Sequence, residues 1–274
     1  MQFGGEWTQE KLQILERYLD AYTTALKSKP FKLVYIDAFA GTGQIDLQQD
    51  RDADGFRRGS TVRAIQICDK PFDELIFIEK DPARCVDLEK LRNANPNRRI
   101  EVQNSEANAF LRDLRRDWGA WRGVLFLDPF ATEVEWSTIR AIASFHALDT
   151  WILCPISAVV RMLPMSRRPD DISPTWATRL TAVFGDESWR ELYRPRRQLD
   201  LFGNSGSERD SGVDGLLNIY KDNLERLFGD RFLSKSRRLT NSNGSPLFEF
   251  MFCVGNPNGI RLATRIAGHI LDHM

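Results

Sequence analysis

The sequence predicts an α/β fold, a doubly wound and mostly parallel sheet with helices on both faces. Short apolar runs, typical of strands that are buried on both faces of a parallel sheet, recur along the first part of the chain. Segments with helical spacing of apolar residues separate these runs, and this alternation favours right-handed crossover connections. Acidic residues end three of the runs, so the carboxyl ends of the strands are the expected ligand site.

Five strands and the helices between them are predicted in order. A first helix, for which Thr8 is the expected cap, has an apolar stripe that is expected to cover the sheet. Asp81 and Pro82 are typical of the cap and first position of the helix after the second strand. Later helices are expected at Ala107–Trp118 and Glu135–Phe145. The predicted strands are Phe31–Phe39, Leu75–Ile78, Ile100–Val102, Val124–Leu127 and Trp151–Cys154.

The chain changes character after the fifth strand. Residues 1–155 are expected to form the N-terminal part of the domain, and residues 156–212 an arginine-rich helical insertion and a linker. The linker, 198–212, is rich in glycine, serine and charge, which is typical of a mobile segment. Residues 213–274 are expected to complete the same domain with a helix, a β-hairpin turning at Asn243-Gly244, and a last helix.

Composition excludes several classes of protein. The 38 basic residues balance the 38 acidic residues, so nucleic-acid binding would require a local positive patch. The four cysteines lie far apart, which argues against zinc ribbons and disulfide frameworks and favours a reducing cytosol. The three histidines show no metal-ligand spacing. No apolar run approaches the roughly 20 residues that span a bilayer, so we expect a soluble, cytoplasmic protein with no membrane partner.

A glycine-containing loop, Asp37-Ala-Phe39-Ala-Gly41-Thr-Gly43, follows the first strand directly. Glycine lets the backbone turn sharply and approach a ligand closely, and the Asp37 carboxylate is expected to attract a cationic group. Glu79 ends the second strand, where it is placed to accept hydrogen bonds from ribose hydroxyls. The loop lacks both the phosphate-loop string and the third glycine of dinucleotide loops. A simple strand–helix turn is the alternative to a nucleoside site.

The same residues resemble those of known families. The order Asp-x-Phe-x-Gly-x-Gly is similar to the cofactor motif of methyltransferases that act on amino groups of DNA and RNA bases. The wider pattern resembles the three-Cys-motif partner proteins (TcmP) more closely, from about Thr8 to Pro155 and again near Leu247–Ile270. The resemblance implies a Rossmann-like, class I methyltransferase fold, S-adenosyl-L-methionine as cofactor, and a three-cysteine partner similar to radical-chemistry proteins. The matching stretches are 35–43, 59–60, 77–79, 126–130 and 134–136.

The resemblance assigns cofactor roles to residues of the loop and of the strand ends. Asp37 is expected to hold the amino group of the methionine moiety, and Glu79 the ribose. Glu106 is expected to hold the adenine amino group; Asn108 is an alternative for this role, and capping of the following helix is the alternative for Glu106. The predicted cofactor-binding residues are Asp37, Phe39, Gly41, Gly43, Glu79 and Glu106.

Asp128, Pro129 and Phe130 end the fourth strand and are the predicted catalytic residues. Base amino methyltransferases carry an acidic or amide residue, two prolines and an aromatic residue at this place. There the acid and main-chain carbonyls accept hydrogen bonds from the exocyclic amine, and the aromatic ring stacks on the flipped base. This chain departs from the pattern because one proline is missing, which shortens the loop.

The insertion is expected to lie over the same sheet edge as Asp128, since it follows the fifth strand. Its arginines would then flank the substrate path and contact phosphates, and Trp176 and Trp189 are expected to add aromatic surface. A solvated or partner-binding surface is the alternative, because acidic residues offset much of the charge. The arginines concerned are Arg161, Arg167, Arg168, Arg194, Arg196 and Arg197.

Two function classes follow from these residues. The first is an S-adenosylmethionine-dependent methyltransferase whose favoured acceptor is a base amino group of RNA or DNA. The second is a catalytically silent methyltransferase-like module that binds a three-cysteine-motif partner, for which the shortened proline motif and the neutral overall charge argue. An Asp128→Ala variant separates them, because only an enzyme would lose activity while its cofactor affinity stayed intact.

Overall fold

The computed structural model describes residues 6–42, 44–46, 56–163, 169–195, 207–209 and 212–274. Within these ranges a seven-stranded sheet forms, and its strands are β1 (Lys32–Asp37), β2 (Glu74–Glu79), β3 (Ile100–Asn104), β4 (Trp121–Leu127), β5 (Leu148–Cys154), β6 (Phe232–Thr240) and β7 (Pro246–Cys253). Two small antiparallel pairs also form, Gln44–Asp46 with Phe56–Arg58 and Tyr193–Pro195 with Ser207–Arg209. The helices are α1 (Glu6–Leu26), α2 (Ser60–Ile65), α3 (Pro82–Ala94), α4 (Ala107–Asp113), α5 (Trp136–Phe145), α6 (Ile156–Met162), α7 (Pro174–Phe184), α8 (Val213–Phe228) and α9 (Ile260–Asp272).

The sheet order is β6-β7-β5-β4-β1-β2-β3, and β1 to β5 run parallel. β7 pairs antiparallel with both β5 and β6, so the C-terminal hairpin extends the sheet beyond β5. This is the doubly wound order 3-2-1-4-5-6 with one antiparallel strand inserted before the last. The predicted fold class, a mostly parallel sheet with a C-terminal hairpin, is confirmed. The order also brings the carboxyl ends of β4, β1 and β2 together.

Both faces of the central strands are covered, which explains the short apolar runs in β1, β2, β4 and β5. Leu33 and Tyr35 of β1 face a core that includes residues of α1, α2 and α9. Val34 and Ile36 face the opposite core, to which α4 to α8 contribute. Successive side chains of a strand point to opposite faces, so burial on both sides removes the polar alternation of a half-exposed strand. No helix among the described residues combines the length and the apolarity needed to cross a bilayer.

Two predicted helix ends are wrong. The first helix already includes Glu6, so Thr8 lies inside α1, and its side chain is buried instead of capping the helix. α4 ends at Asp113 and not at Trp118. The chain leaves the helix there because Arg116 reaches the buried Glu74 at the start of β2, with 2.5 Å between Nη2 and Oε2. The Asp81 cap is confirmed, since its carboxylate accepts a hydrogen bond from the Ala83 amide at 2.8 Å.

A buried carboxylate connects α1, β5 and the segment after β7. Asp149 Oδ2 accepts a hydrogen bond from the Tyr18 hydroxyl at 2.6 Å, and Oδ1 accepts one from the Gly255 amide at 2.7 Å. Burial raises the pKa of Asp149 from 3.8 to about 6, although both hydrogen bonds favour the ionised form. The carboxylate therefore orders three segments, and its ionisation opposes folding.

We expect Asp149→Asn to stabilise the protein more at pH 8 than at pH 5. The folded pKa lies above the unfolded one, so the folded state binds more protons and wild-type stability falls as pH rises from about 4 to 7. A shift of about two pKa units corresponds to about 3 kcal/mol. Asparagine keeps both contacts, because the Tyr18 hydroxyl can turn to accept a hydrogen bond from the asparagine side-chain amide. Urea unfolding at the two pH values measures the effect, and Asp87→Asn is the control. An equal difference in unfolding free energy between Asp149→Asn and wild type at pH 5 and pH 8 would contradict the prediction.

Candidate active site

A cavity of about 540 Å³ opens where the carboxyl ends of β1, β2 and β4 meet. Its volume lies in the range of small-molecule sites, roughly 300 to 1,000 Å³. One part of the wall comes from the loop after β1 and from the ends of β2 and β3. The other comes from α1, the segment after β4 and β7. The residues that line it include Trp7, Thr8, Lys11, Phe39, Gly41, Ser60, Glu79, Lys80, Glu106, Asp128, Pro129, Phe130, Glu133 and Phe248.

The glycine loop forms the floor of this cavity. Gly41 has a φ of +61°, a conformation that glycine adopts without strain, and no other atom lies within 4 Å of the position a Cβ would take. The Ala40 amide donates to the Ile78 carbonyl at 3.0 Å, which ties the loop to the neighbouring strand. Phe39 and Gly41 line the cavity as the sequence predicts. Gly43 lies outside the described residues.

Glu79 lies at the end of β2 beside the loop, and only 7% of it is exposed. Its Oε2 accepts a hydrogen bond from the Gly41 amide at 3.0 Å, and its Oε1 accepts one from the Asp81 amide at 2.8 Å. Arg84 lies 3.9 Å from Oε2. The carboxylate is therefore held rigidly on the cavity wall, where a ligand hydroxyl can reach its remaining lone pairs.

Asp37 lies beneath the loop and not on the cavity wall. It is fully buried and accepts hydrogen bonds from the Ser60 hydroxyl at 2.5 Å, from the Tyr35 hydroxyl at 3.2 Å and from the Phe39 amide at 3.3 Å. Burial raises the pKa of Asp37 to about 6, and the nearby charge of Asp128 adds to this, against the effect of its hydrogen bonds. The position indicates that Asp37 orients Ser60, which lines the cavity; direct contact with a cofactor amino group stays a prediction.

Asp128 also lines the cavity, directly after β4. Its Oδ2 accepts a hydrogen bond from the Lys11 ammonium at 2.5 Å, and the Asp128 side chain keeps 24% of its surface exposed. None of the described residues donates a hydrogen bond to Oδ1 of Asp128, so a ligand can donate one to that oxygen. Pro129 and Phe130 follow on the same wall, and Phe130 is 69% exposed at its rim.

Lys11 is a site residue that the sequence analysis missed. It is buried on α1, on the helix face of Leu15 and Tyr18, with its Nζ 5.3 Å from the centroid of the Trp7 ring. A lysine within an apolar stripe is the signal that points to it, because such a cation needs a buried partner. Phe248 of β7 packs on Trp7 with 4.9 Å between ring centroids and closes this side of the cavity.

Glu106 caps α4 as well as lining the cavity. Its carboxylate accepts hydrogen bonds from the amides of Asn108 at 3.0 Å and Ala109 at 2.8 Å. Burial acts to raise the pKa of Glu106, but these hydrogen bonds outweigh it and lower the pKa. The capping alternative is therefore confirmed, and the adenine contact of Glu106 stays a prediction. Asn108 is buried away from the cavity lining, so it does not stand in for Glu106.

Comparison with known proteins gives the fold. No family model and no curated protein sequence matches the chain. Among solved structures, protein LPL1258 from Legionella pneumophila str. Philadelphia 1, of family DUF519, is similar with a TM-score of 0.51 and 14% identity, over 95% of this chain and 89% of that one. This similarity and the strand order agree on the architecture. The chain has a Rossmann-like, doubly wound α/β fold.

Two further solved structures are similar at lower scores. M. jannaschii TYW2 in complex with AdoMet has a TM-score of 0.40 and 10% identity, over 91% of this chain and 76% of that one. An S-adenosylmethionine-dependent methyltransferase from Clostridium acetobutylicum has a TM-score of 0.38 and 10% identity, over 88% of this chain and 92% of that one.

None of the described residues of the insertion lines the cavity. Trp176 on α7 is 42% exposed, but Trp189 is fully buried, with its indole nitrogen donating to the Thr181 hydroxyl at 3.1 Å. The expectation that Trp189 adds aromatic surface is therefore wrong. Arg161 is exposed on α6, and the side chain of Arg194 is not described. Arg167, Arg168, Arg196 and Arg197 lie outside the described residues.

Proposed function

We propose that the protein binds S-adenosylmethionine and transfers its methyl group to an amino group of a nucleic-acid base. The observation that carries the proposal is the placement of Asp128. Its carboxylate lies on the wall of the cavity that also contains the Gly41 loop and Glu79, and the buried Lys11 holds one of its oxygens. This arrangement provides one cavity with a nucleoside-binding side and an amine-binding side.

The residues present fit the cofactor. The open space beside Gly41 allows a ligand to approach the backbone closely, where a Cβ would otherwise project. Glu79 offers a fixed carboxylate to vicinal ribose hydroxyls, and Phe39 and Ser60 contribute to the same wall. When bound, S-adenosylmethionine supplies an electrophilic methyl group on a sulfonium. Gly41 and Glu79 would hold it, with Glu106 at the adenine.

Asp128 orients the acceptor amine in this proposal. Its Oδ1 accepts a hydrogen bond from one amine N–H, which points the nitrogen lone pair at the methyl carbon. The bound cofactor would supply the methyl group to this nitrogen, which would then lose a proton to water or to the carboxylate. Asp128 stabilises the positive charge that develops on nitrogen, because a fixed anion acts strongly in a partly desolvated site. Lys11 keeps that anion oriented, and Phe130 offers an exposed ring for stacking.

A non-catalytic module is the second candidate function. The single proline after Asp128 shortens the motif of base methyltransferases, and Phe130 exposes 69% of its surface. An exposed aromatic residue at the rim of a cavity also suits binding of a protein partner. As the resemblance to TcmP implies, that partner would carry three cysteines. Co-purification with such a protein, unchanged by Asp128→Ala, would favour this function.

Methyl transfer is tested by incubating the protein with radiolabelled S-adenosylmethionine and separated cellular RNA, DNA, protein and small-molecule fractions. Label in RNA or DNA, located on a base amino group, is the expected result. Label confined to protein or small molecules would overturn the choice of acceptor. Measurable cofactor binding without label in any fraction would contradict the enzyme and favour the module.

We expect Glu79→Gln to weaken S-adenosylmethionine binding about 10- to 100-fold. Hydrogen bonds to a charged group contribute about 1.5–3 kcal/mol, and about 1.4 kcal/mol corresponds to tenfold in affinity. The glutamine amide also faces the Gly41 and Asp81 amides, where both carboxylate oxygens now accept. Calorimetric titration measures the change, and Glu89→Gln on α3, outside the cavity, is the control. Equal affinity of wild type and Glu79→Gln would remove Glu79 from the cofactor site.

A further inference from the structure

The segment after β4 is fixed at Glu133, which the proposed chemistry does not use. Glu133 Oε2 accepts a hydrogen bond from the Phe130 amide at 3.0 Å, and Oε1 accepts one from the Lys80 ammonium. The Glu133 carbonyl accepts a third, from the side-chain amide of Asn108 at 2.8 Å. One residue thus joins the segment that carries Phe130 to two other parts of the site.

Both of those partners are connected to residues that line the cofactor side of the cavity. Lys80 directly follows Glu79, and its carbonyl accepts a hydrogen bond from the Asn104 side chain at 3.1 Å. Asn108 donates its side-chain amide to the Glu106 carboxylate at 2.7 Å. The contacts of Glu133 therefore run from residues beside the cofactor site to the main chain of Phe130.

Phe130 lies at the rim of the cavity, where 69% of the residue is exposed. The hydrogen bond from its amide to Glu133 Oε2 contributes to holding its backbone in place. An acceptor base that stacks on this ring takes its position from the same backbone.

We propose that Glu133 is a positioning residue, which orients Phe130 for the acceptor and links its position to the cofactor side through Lys80 and Asn108. This inference rests on the proposed methyl transfer. The ion pair with Lys80 alone carries little, because the Lys80 side chain is 65% exposed and water screens it. The decisive contact is the one to the Phe130 amide, so a variant that keeps an acceptor oxygen keeps most of the effect.

Three variants test the proposal kinetically. Glu133→Ala removes both contacts of the carboxylate, and we expect kcat/KM for the acceptor to fall about 10- to 100-fold, since small misplacements of a reacting group are costly. Glu133→Gln keeps an oxygen for the Phe130 amide and should stay within about threefold of wild type. Glu135→Ala, in the same segment but paired with Arg112, is the matched control and should leave the rate unchanged. Affinity for S-adenosylmethionine should change less than twofold in all three.

A spectroscopic measurement makes the result independent of activity. With 4-fluorophenylalanine at position 130, we expect a single fluorine resonance that shifts when S-adenosylhomocysteine is added. In Glu133→Ala this resonance should broaden and lose the shift, whereas Glu133→Gln should retain both. A Glu133→Ala spectrum identical to that of wild type would overturn the positioning role. If the wild type binds cofactor but methylates nothing, the proposed function fails, while the fluorine spectra still decide whether Glu133 orients Phe130.

Discussion

Asp128→Ala is expected to lower kcat/KM for methyl transfer about 100- to 1,000-fold while S-adenosylmethionine affinity stays within twofold. Removing one group that stabilises developing charge costs about this much in other enzymes, and Asp128 lines the same cavity as the Gly41 loop. The Lys11 ammonium would also lose its buried partner. Steady-state kinetics with labelled cofactor, together with calorimetric binding, measure the two quantities separately.

Two related variants define the role of the Asp128 charge. Asp128→Asn keeps an oxygen for the amine but loses the anion, so its activity should fall between those of wild type and Asp128→Ala. Lys11→Met removes the partner of Oδ2 and should mainly lower kcat, because the carboxylate is then less firmly oriented. Asp87→Ala, at a side chain that is 46% exposed, serves as control. Full activity of Asp128→Ala would show that the amine is oriented by other groups.

Gly255→Ala is expected to destabilise the fold by about 3 kcal/mol, at the upper end of the range for overpacking. A Cβ at this position would lie 2.3 Å from the Leu148 nitrogen and 2.5 Å from its carbonyl carbon, and backbone atoms of a central strand cannot move aside cheaply. Any shift would also stretch the hydrogen bond from the Gly255 amide to Asp149. Urea unfolding at pH 7 gives the difference.

Gly268→Ala provides the opposite control on the same part of the chain. Gly268 lies inside α9, and no atom lies within 4 Å of its Cβ position. Alanine in a helix interior is favoured over glycine by roughly 0.5–1 kcal/mol, so this variant should be more stable than wild type. If Gly255→Ala and Gly268→Ala had the same unfolding free energy, the steric argument for Gly255 would be contradicted.

The strands were predictable because their physical signal is local. β1, β2, β4 and β5 lie between helices on both faces, so each contains a short apolar run, and an acidic residue ends that run in β1, β2 and β4. Capping is equally local, and Asp81 followed by proline marks the start of α3 correctly. Helix ends that depend on distant partners were not predictable. α4 stops where Arg116 turns toward Glu74, a contact that sequence spacing does not contain.

Site residues were likewise predictable where their signal is local and not where it depends on distant packing. Gly41, Glu79 and Asp128 follow strands that meet at one sheet edge, so topology alone brings them together. Lys11 enters through the packing of α1 across that edge, and a single lysine in an amphipathic helix is typical of a solvated face. The burial of Asp37 depends on Ser60 and Tyr35 closing over it, which no local pattern reveals.

The contact between Trp7 and Phe248 determines when, during synthesis of the chain, the cavity is completed. α1 and β7 come from opposite ends of the sequence, and the neighbouring ion pair between Glu10 and Arg237 joins residues 227 positions apart. A chain still being translated can fold the Gly41 loop and the end of β2 long before Phe248 leaves the ribosome. The wall that holds Lys11 in place is finished only afterwards, so a nascent chain gains the nucleoside side of its cavity first and the acceptor side last.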